Sequence, residues 1–547
     1  MVTLITPLEM LYKWEKETPN KTYMRQPLGG GQWQEYTWKE VATEVRKMAA
    51  FIKSQNYPPN SKIVIYSKNA CHWMMADLAI WMSGHISVPI YPMIDGPTLN
   101  HIIEHSEAKM LFVGRVDYWD EVREGLSDDI LKVTFPIHTA DVFVPWDEIL
   151  EKYEPLKESP IRPQDDVATI IYTSGTTGWP KGVVHTFEGV SFAAQNALKV
   201  IPLSGKDQFF SYLPLAHVAE RVLVEIGCLY SNGVVSFIES KERFMENLKE
   251  IQPTVFLAVP FVWSTIVKKV TLKFGEEKLK KLLKFPLISG VFKNLIKKAV
   301  GLSRVEYAFT GAAPISREVL EWFDVLGIKI IEVYGMTENL AYGVINLERK
   351  YFGSVGMPFP HVNLKLTEEG EVLISSPTNM KSYFKEPEKT QESFDKNFFR
   401  TGDMGVINDH GRLEIVGRVK ENMIPEVSED PVKENTAIVT QEPVEVIQTY
   451  MPWKILAIVF ALLWIGTLLI WFFNRNKKVN REIKNDNNFK ANQQLEIKSA
   501  VRKVEQALRS GEPVSVQYAL LKWGNSVWSD DPPQGLEQIG DRIPKLK

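Results

Sequence analysis

Thr173–Gly182 reads TSGTTGWPKG, and the reading of this stretch decides the rest. Thr173, Ser174, Thr176 and Thr177 bring hydroxyl donors, Gly175 and Gly178 let the backbone approach a ligand closely, and Lys181 supplies positive charge. Together these are the parts of a loop that wraps a polyphosphate. The loop follows an apolar, β-branched run, Val167 to Tyr172, so it is expected at the end of a buried strand, where open α/β sheets bind nucleotides. A plain Ser/Thr/Gly surface turn needs neither the lysine nor the strand. The stretch also fails the G-x-x-x-x-G-K-[ST] pattern, because Pro180 precedes Lys181 and Gly182 follows it.

Four further short motifs follow in order: GAAP at 311–314, YGMTE at 334–338, TGD at 401–403 and GR at 417–418. Each alone is weak; their order and spacing carry the assignment. With the loop they resemble the adenylate-forming superfamily of acyl-CoA synthetases, luciferases and peptide-synthetase adenylation domains, over roughly residues 8–424. The resemblance implies a layered αβαβα large domain with a small β-barrel-like subdomain at 353–420. It also implies a site for ATP, Mg²⁺ and coenzyme A. Gly311, Ala312, Ala313 and Pro314 would line the adenine pocket. Tyr334 and Gly335 would border it, with Tyr334 stacked on adenine. Thr337 would donate to the α-phosphate, and Glu338 would hold Mg²⁺, a hard cation suited to a carboxylate. Asp403 would take both ribose hydroxyls, as a bidentate acceptor can, and Arg418 would make the second ribose contact.

LPLAHVAER at 213–221 is similar to the long-chain acyl-CoA synthetases and places His217 near the reacting carboxylate; a packed core histidine is the structural alternative. VPFVW at 259–263 has Phe261 where the long-chain segment has Arg, and MKSYF has Ser382 where Gly is usual. The reaction implied is attack of a long-chain fatty acid carboxylate on the α-phosphorus of ATP, giving acyl-adenylate and pyrophosphate, then displacement of AMP by the thiol of coenzyme A. Lys181, Thr337, Glu338 and His217 would carry it, mostly by positioning and preplaced charge.

Composition agrees with a globular, multidomain chain: 547 residues, 44% hydrophobic, 24% charged, net charge −3. That balance gives no global pull toward nucleic acid. Cys71 and Cys228 are too few for a disulfide framework and fit a reducing compartment. The N-terminus lacks a basic region followed by an apolar one, so no signal peptide is read there. His101 and His105 match the H-x-x-E-H zinc pattern, yet a third ligand is not evident and a packing helix is expected. Lys268 to Lys298 holds ten Lys against Glu276 and Glu277. It reads as a solvated face over a small core or as a lipid-binding amphipathic segment.

After GRVKE at 417–421 the resemblance ends, where the family continues into a mobile C-terminal domain carrying the adenylation lysine. Residues 425–450 hold six acidic residues, one Lys and three Pro and read as an acidic linker. Ile455–Phe473, ILAIVFALLWIGTLLIWFF, is 19 residues without a charge and is expected to span a membrane as one helix. Arg475, Lys477, Lys478 and Arg481 follow, which favours a cytoplasmic tail, whereas the large domain needs the cytoplasm for its substrates. Residues 474–547 read as polar and partly helical, and YALLKWGNSVWSDDPPQGLEQIGDR resembles the end of BatD-type aerotolerance membrane proteins. The two halves thus disagree about sidedness, as expected of two joined, unrelated genes. The expected function is a long-chain fatty acid–CoA ligase impaired by loss of its lid. The alternatives are a catalytically weak nucleotide- or acyl-binding membrane protein and an acyl-adenylate ligase serving another acceptor.

Overall fold

A computed structural model describes residues 4–419, apart from 124–125, 127–128, 174–177, 277, 280–282, 284–285 and 349–350, together with scattered helical residues between 499 and 527. The chain divides into two compact units, Met1–Glu429 and Asp430–Lys547. In the second unit the longest described run is helical, residues 518–523.

The first unit is built on two large sheets. One has eight strands in the order Ser382–Tyr383, Lys181–Thr186, Val167–Thr173, Ile86–Ile90, Lys62–Tyr66, Met110–Val113, Leu131–Thr134, Val144–Pro145. From Val167–Thr173 to Val144–Pro145 the neighbours run parallel. Their sequences, such as IVIY and MLFV, are continuously apolar because both faces are covered. The second sheet has nine strands running from Met357–Pro358 to Gln32–Thr37.

Between the sheets lies a layer of helices. Cys71–Met82 is buried along its whole length, as an apolar-all-round helix must be, and it packs against strands of both sheets. Phe187–Val200 lies against the Val167–Thr186 hairpin, and the π-helix Glu220–Ile226 lies beside it. Thr6 and Thr37 each close a capping box, with Glu9 and Glu40, at the start of two further helices.

The phosphate loop follows a buried strand, as expected, and joins Val167–Thr173 to an antiparallel partner, Lys181–Thr186. Pro180 and the β-branched GVVHT run favour that return strand. The β-rich segment forms an open, five-stranded antiparallel sheet over Asn363–Arg418, with no pairing among the described residues that closes it into a barrel. Among the described residues no helix is long and apolar enough to cross a membrane. The 455–473 run expected to do so, the 425–450 linker and most of the tail lie outside the described residues.

In the basic stretch, Phe274 packs edge-on against Phe292 at 5.3 Å, joining helices Pro260–Phe274 and Pro286–Ala299. Leu272, Val291 and Leu295 stay exposed among the lysines. Phe261, the departure from the long-chain segment, is exposed at the start of the first of these helices.

Candidate active site

The hairpin register sets Thr173 opposite Lys181 and Tyr172 opposite Gly182, so the loop's two ends face one another. Ser174, Gly175, Thr176 and Thr177 lie outside the described residues. Gly178 takes φ +138°, a conformation that L side chains rarely adopt. Gly182 is required by packing: a Cβ there would come within 2.8 Å of Ile170 and 3.2 Å of Phe384. Lys181 Nζ sits 5.2 Å from the centre of the Tyr383 ring. Trp179 stacks on His101 at 4.4 Å, and His105 Nδ1 lies 2.8 Å from the Tyr172 hydroxyl. The H-x-x-E-H pair thus braces the hairpin.

The YGMTE segment leaves the Ile330–Tyr334 strand and closes in a short turn at Thr337–Asn339. Gly335 has no room for a side chain, since a Cβ would meet Ala341 main-chain atoms at 2.6 Å. Leu340 and Ala341 are both left-handed, at φ +54° and +52°, a strain that persists only where the surroundings hold it. They do so here. The Met336 N–H donates to Asn339 Oδ1 at 2.9 Å, Met380 N–H to the Glu338 carbonyl at 2.6 Å, and His185 Nε2 to the Thr337 carbonyl at 2.7 Å. Burial pushes the His185 pKa down to about 4, so the ring is neutral. A carbonyl only accepts, which places its proton on Nε2.

Asp403 and Arg418 are cross-strand neighbours. Arg418 Nε lies 2.8 Å from Asp403 Oδ1, and the Tyr334 hydroxyl donates to Asp403 Oδ2 at 2.7 Å. Both carboxylate oxygens are therefore occupied by groups that ribose hydroxyls could share or displace. Tyr334, assigned to adenine by resemblance, is thereby also tied to the ribose carboxylate. Burial, with the Asp403 charge second, holds its phenol protonated.

One cavity of about 590 Å³ gathers most of these residues: Thr173, His217, Gly311, Ala312, Gly335, Thr337, Glu338 and Arg418 line it. The same lining also includes apolar side chains: Ala194 and Leu198 from the Phe187–Val200 helix with Ile201 after it, Val222 and Leu223 from the π-helix, and Phe309 and Phe359. Ala313 and Pro314 are exposed; Lys181, Tyr334 and Asp403 are not among the lining residues, Asp403 meeting the cavity through its partner Arg418 and Lys181 lining a separate cleft with Trp179 and Glu386. A second cleft, of about 1040 Å³, is lined by Tyr91, Met93, Asp95, Tyr172 and Trp179 and shares Thr173 and His217 with the first. His217 Nδ1 accepts from the Ala219 N–H at 3.2 Å, and burial lowers the ring's pKa, which leaves a neutral imidazole with its proton on Nε2.

The residues present fit a magnesium nucleotide. Glu338 Oε2 has no partner among the described residues, while Oε1 accepts from the Tyr383 hydroxyl at 2.8 Å. Thr310 lines the same cavity with a buried, unpartnered hydroxyl. Buried polar atoms of that kind call for a ligand or water.

Comparison with known proteins agrees with this geometry. Residues 11–384 match the AMP-binding enzyme family. The chain is 28% identical to long chain acyl-CoA synthetase 5 of Arabidopsis thaliana, covering 74% of this chain and 70% of that one. It is 25% identical to a long-chain-fatty-acid–CoA ligase of Mycobacterium bovis, covering 78% of each. Among solved structures, ATP-bound MatB of Rhodopseudomonas palustris superposes with TM-score 0.63 at 20% identity, over 76% of this chain and 79% of that one. The inhibitor-bound N-terminal domain of an enzyme of Mycobacterium tuberculosis does so at 0.61 and 23%, over 76% of this chain and 100% of that one. These likenesses share the fold. Acyl-CoA ligases of the family use ATP, Mg²⁺ and coenzyme A.

Proposed function

The chain belongs to the AMP-binding enzyme family, and from that premise we propose that it is an ATP-dependent acyl-CoA ligase acting on long-chain fatty acids. The observation that carries the reading is that one cavity is lined both by the polar Thr173, Thr337, Glu338 and Arg418 and by the apolar Ala194, Leu198, Val222, Leu223 and Phe309. A carboxylate bound with its tail in the apolar part brings its oxygens to the polar part. Removing the tail from water favours long chains by about 0.8 kcal/mol per CH₂.

The roles divide accordingly. Arg418 and Asp403 orient the ribose, Glu338 holds Mg²⁺, and Lys181 and Thr337 steady the phosphates. Mg²⁺ bound there neutralises charge on the phosphate oxygens. His217 donates from Nε2 at the meeting point of the two clefts, where the carboxyl group of the acid lies. The second cleft is the route by which the thiol of coenzyme A reaches that point. Membership of the family supports the ligase class; the long chain rests on the LPLAHVAER segment and the apolar lining.

Three further parts of the proposal concern residues after 424. None of the tail lysines stands in a recognisable copy of the family's lid motif, so adenylation runs about 10²–10³-fold below a complete enzyme, and thioester formation suffers more. The 455–473 run anchors the chain in a membrane with the large domain in the cytoplasm. The tail, which resembles BatD-type proteins, comes from a joined, unrelated gene; reading genomic DNA across codons 415–460 in independent isolates tests that.

The test of the reaction itself is pyrophosphate release from Mg-ATP with butyrate, octanoate or palmitate, against a Lys181→Ala control. Release rising with chain length supports the reading. No release above the control identifies a nucleotide- or acyl-binding protein instead, and release whose acyl product goes to a carrier protein but never to coenzyme A identifies another acceptor.

A further inference from the structure

Tyr383 belongs to none of the nucleotide motifs, yet it touches two of them. It lies in the two-residue strand Ser382–Tyr383, which pairs with Val183 and Val184 of the phosphate hairpin. Main-chain bonds hold this strand on both sides. Phe384 N–H donates to the Gly182 carbonyl at 2.7 Å, Lys381 N–H to that of Val184 at 2.9 Å, and Met380 N–H to that of Glu338 at 2.6 Å. The side chain is buried. Its hydroxyl donates to Glu338 Oε1 at 2.8 Å, and its ring carries Lys181 Nζ at 5.2 Å from the centroid.

The chemistry of each contact is one-sided. A carboxylate accepts only, so the phenol must donate. The bond ties up Oε1 and leaves Oε2 without a partner among the described residues. On the other side, an aromatic face attracts an ammonium without neutralising it. A carboxylate in that place would form an ion pair with Lys181 and compete with phosphate.

We propose that Tyr383 is a positioning residue that orients the Glu338 carboxylate for Mg²⁺ and holds Lys181 uncompensated beside the phosphate loop. The proposal rests on the functional reading above. Hydrogen-bonding partners of ligating carboxylates are commonly worth about 10–100-fold in metal affinity.

The test is calorimetric ATP binding at a series of Mg²⁺ concentrations, for the wild type, Tyr383→Phe, Tyr383→Leu and Glu338→Gln, with thermal unfolding checked for each. Tyr383→Phe keeps the ring and loses the hydroxyl. It is expected to raise the Mg²⁺ concentration at half-maximal ATP binding about tenfold and to leave affinity at saturating Mg²⁺ near that of the wild type. Tyr383→Leu is expected to weaken ATP binding even at saturating Mg²⁺. A Tyr383→Phe protein that is folded and titrates like the wild type, while Glu338→Gln is shifted, overturns the proposal alone. A wild type that binds no ATP at any Mg²⁺ concentration overturns the functional reading and this proposal with it.

Discussion

Asp403–Arg418 and Asp77–Arg221 are both carboxylate–guanidinium pairs, at 2.8 and 2.9 Å, but their surroundings give them opposite work. Arg418 is 62% exposed and its partner 8%. Arg221 and Asp77 are 3% and 0% exposed. At the cavity rim, water and a neighbouring phenol compete for Asp403, so its bonds can be traded for those of a ligand. In the helical layer the partners are fixed protein groups, the Ser87 hydroxyl among them, which donates to Asp77 Oδ1. Arg221 Nη2 reaches both Asp77 oxygens at 2.9 Å, Nη1 reaches Glu225 at 3.3 Å, and the rings of Trp73 and Trp81 flank the guanidinium. Burial pushes both carboxyls up, the more so at Glu225, and the guanidinium opposes the rise at each. Pairing of this kind is what a buried charge requires. Because Arg221 and Glu225 stand on the π-helix that also presents Val222 and Leu223 to the cavity, the sealed pair shapes the acyl wall while the open pair holds ligand.

The largest break in this comparison is Arg221→Met. It strands Asp77 in a dry site and is expected to cost about 3–5 kcal/mol of stability, read from urea unfolding. Adding Asp77→Leu to it is expected to recover most of the loss, since no charge is then left unpaired. Equal stability of wild type and Arg221→Met would show that water reaches the pair. Next in size is Asp403→Ala at the rim, expected to weaken ATP binding about 10–100-fold while the unfolding midpoint hardly moves. A stability loss as large as that of Arg221→Met would erase the distinction.

The smallest effect sharpens the sealing rule with a base. His185 has its folded pKa depressed by burial to about 4, against 6.5. Its contribution is therefore fully present above pH 6.5 and is lost as pH falls toward 4, reaching about 2 kcal/mol at pH 5. Urea midpoints of wild type and His185→Gln at pH 7 and pH 5 read it: the wild type is expected to fall more steeply. Parallel declines would place the pH dependence elsewhere.

What could be read ahead of the structure follows the same division. The loop declares itself because it packs unusual chemistry into consecutive residues, and GAAP, YGMTE, TGD and GR, each weak alone, become legible through their order and spacing after it. Asp77 and Arg221 gave a signal too: one carboxylate within the apolar CHWMMADLAIWM demands a buried partner. Its identity lies in contacts between segments far apart in the chain, which spacing does not encode. His185 and Tyr383 were missed for that reason, since their partners Thr337 and Glu338 come from the turn after a strand of the other large sheet. The strand after the loop is legible in GVVHT, whose β-branched residues favour one, but its antiparallel pairing with Val167–Thr173 is not.

Adenylation in the cavity separates a ligase from a binding protein. The direct measurement is mass-spectrometric detection of the adenylate in a single-turnover mixture of excess protein, Mg-ATP and palmitate, without coenzyme A. Palmitoyl-adenylate matched by equimolar pyrophosphate, and absent with Lys181→Ala, is the predicted result. ATP recovered intact, with palmitate bound but unmodified, would contradict it.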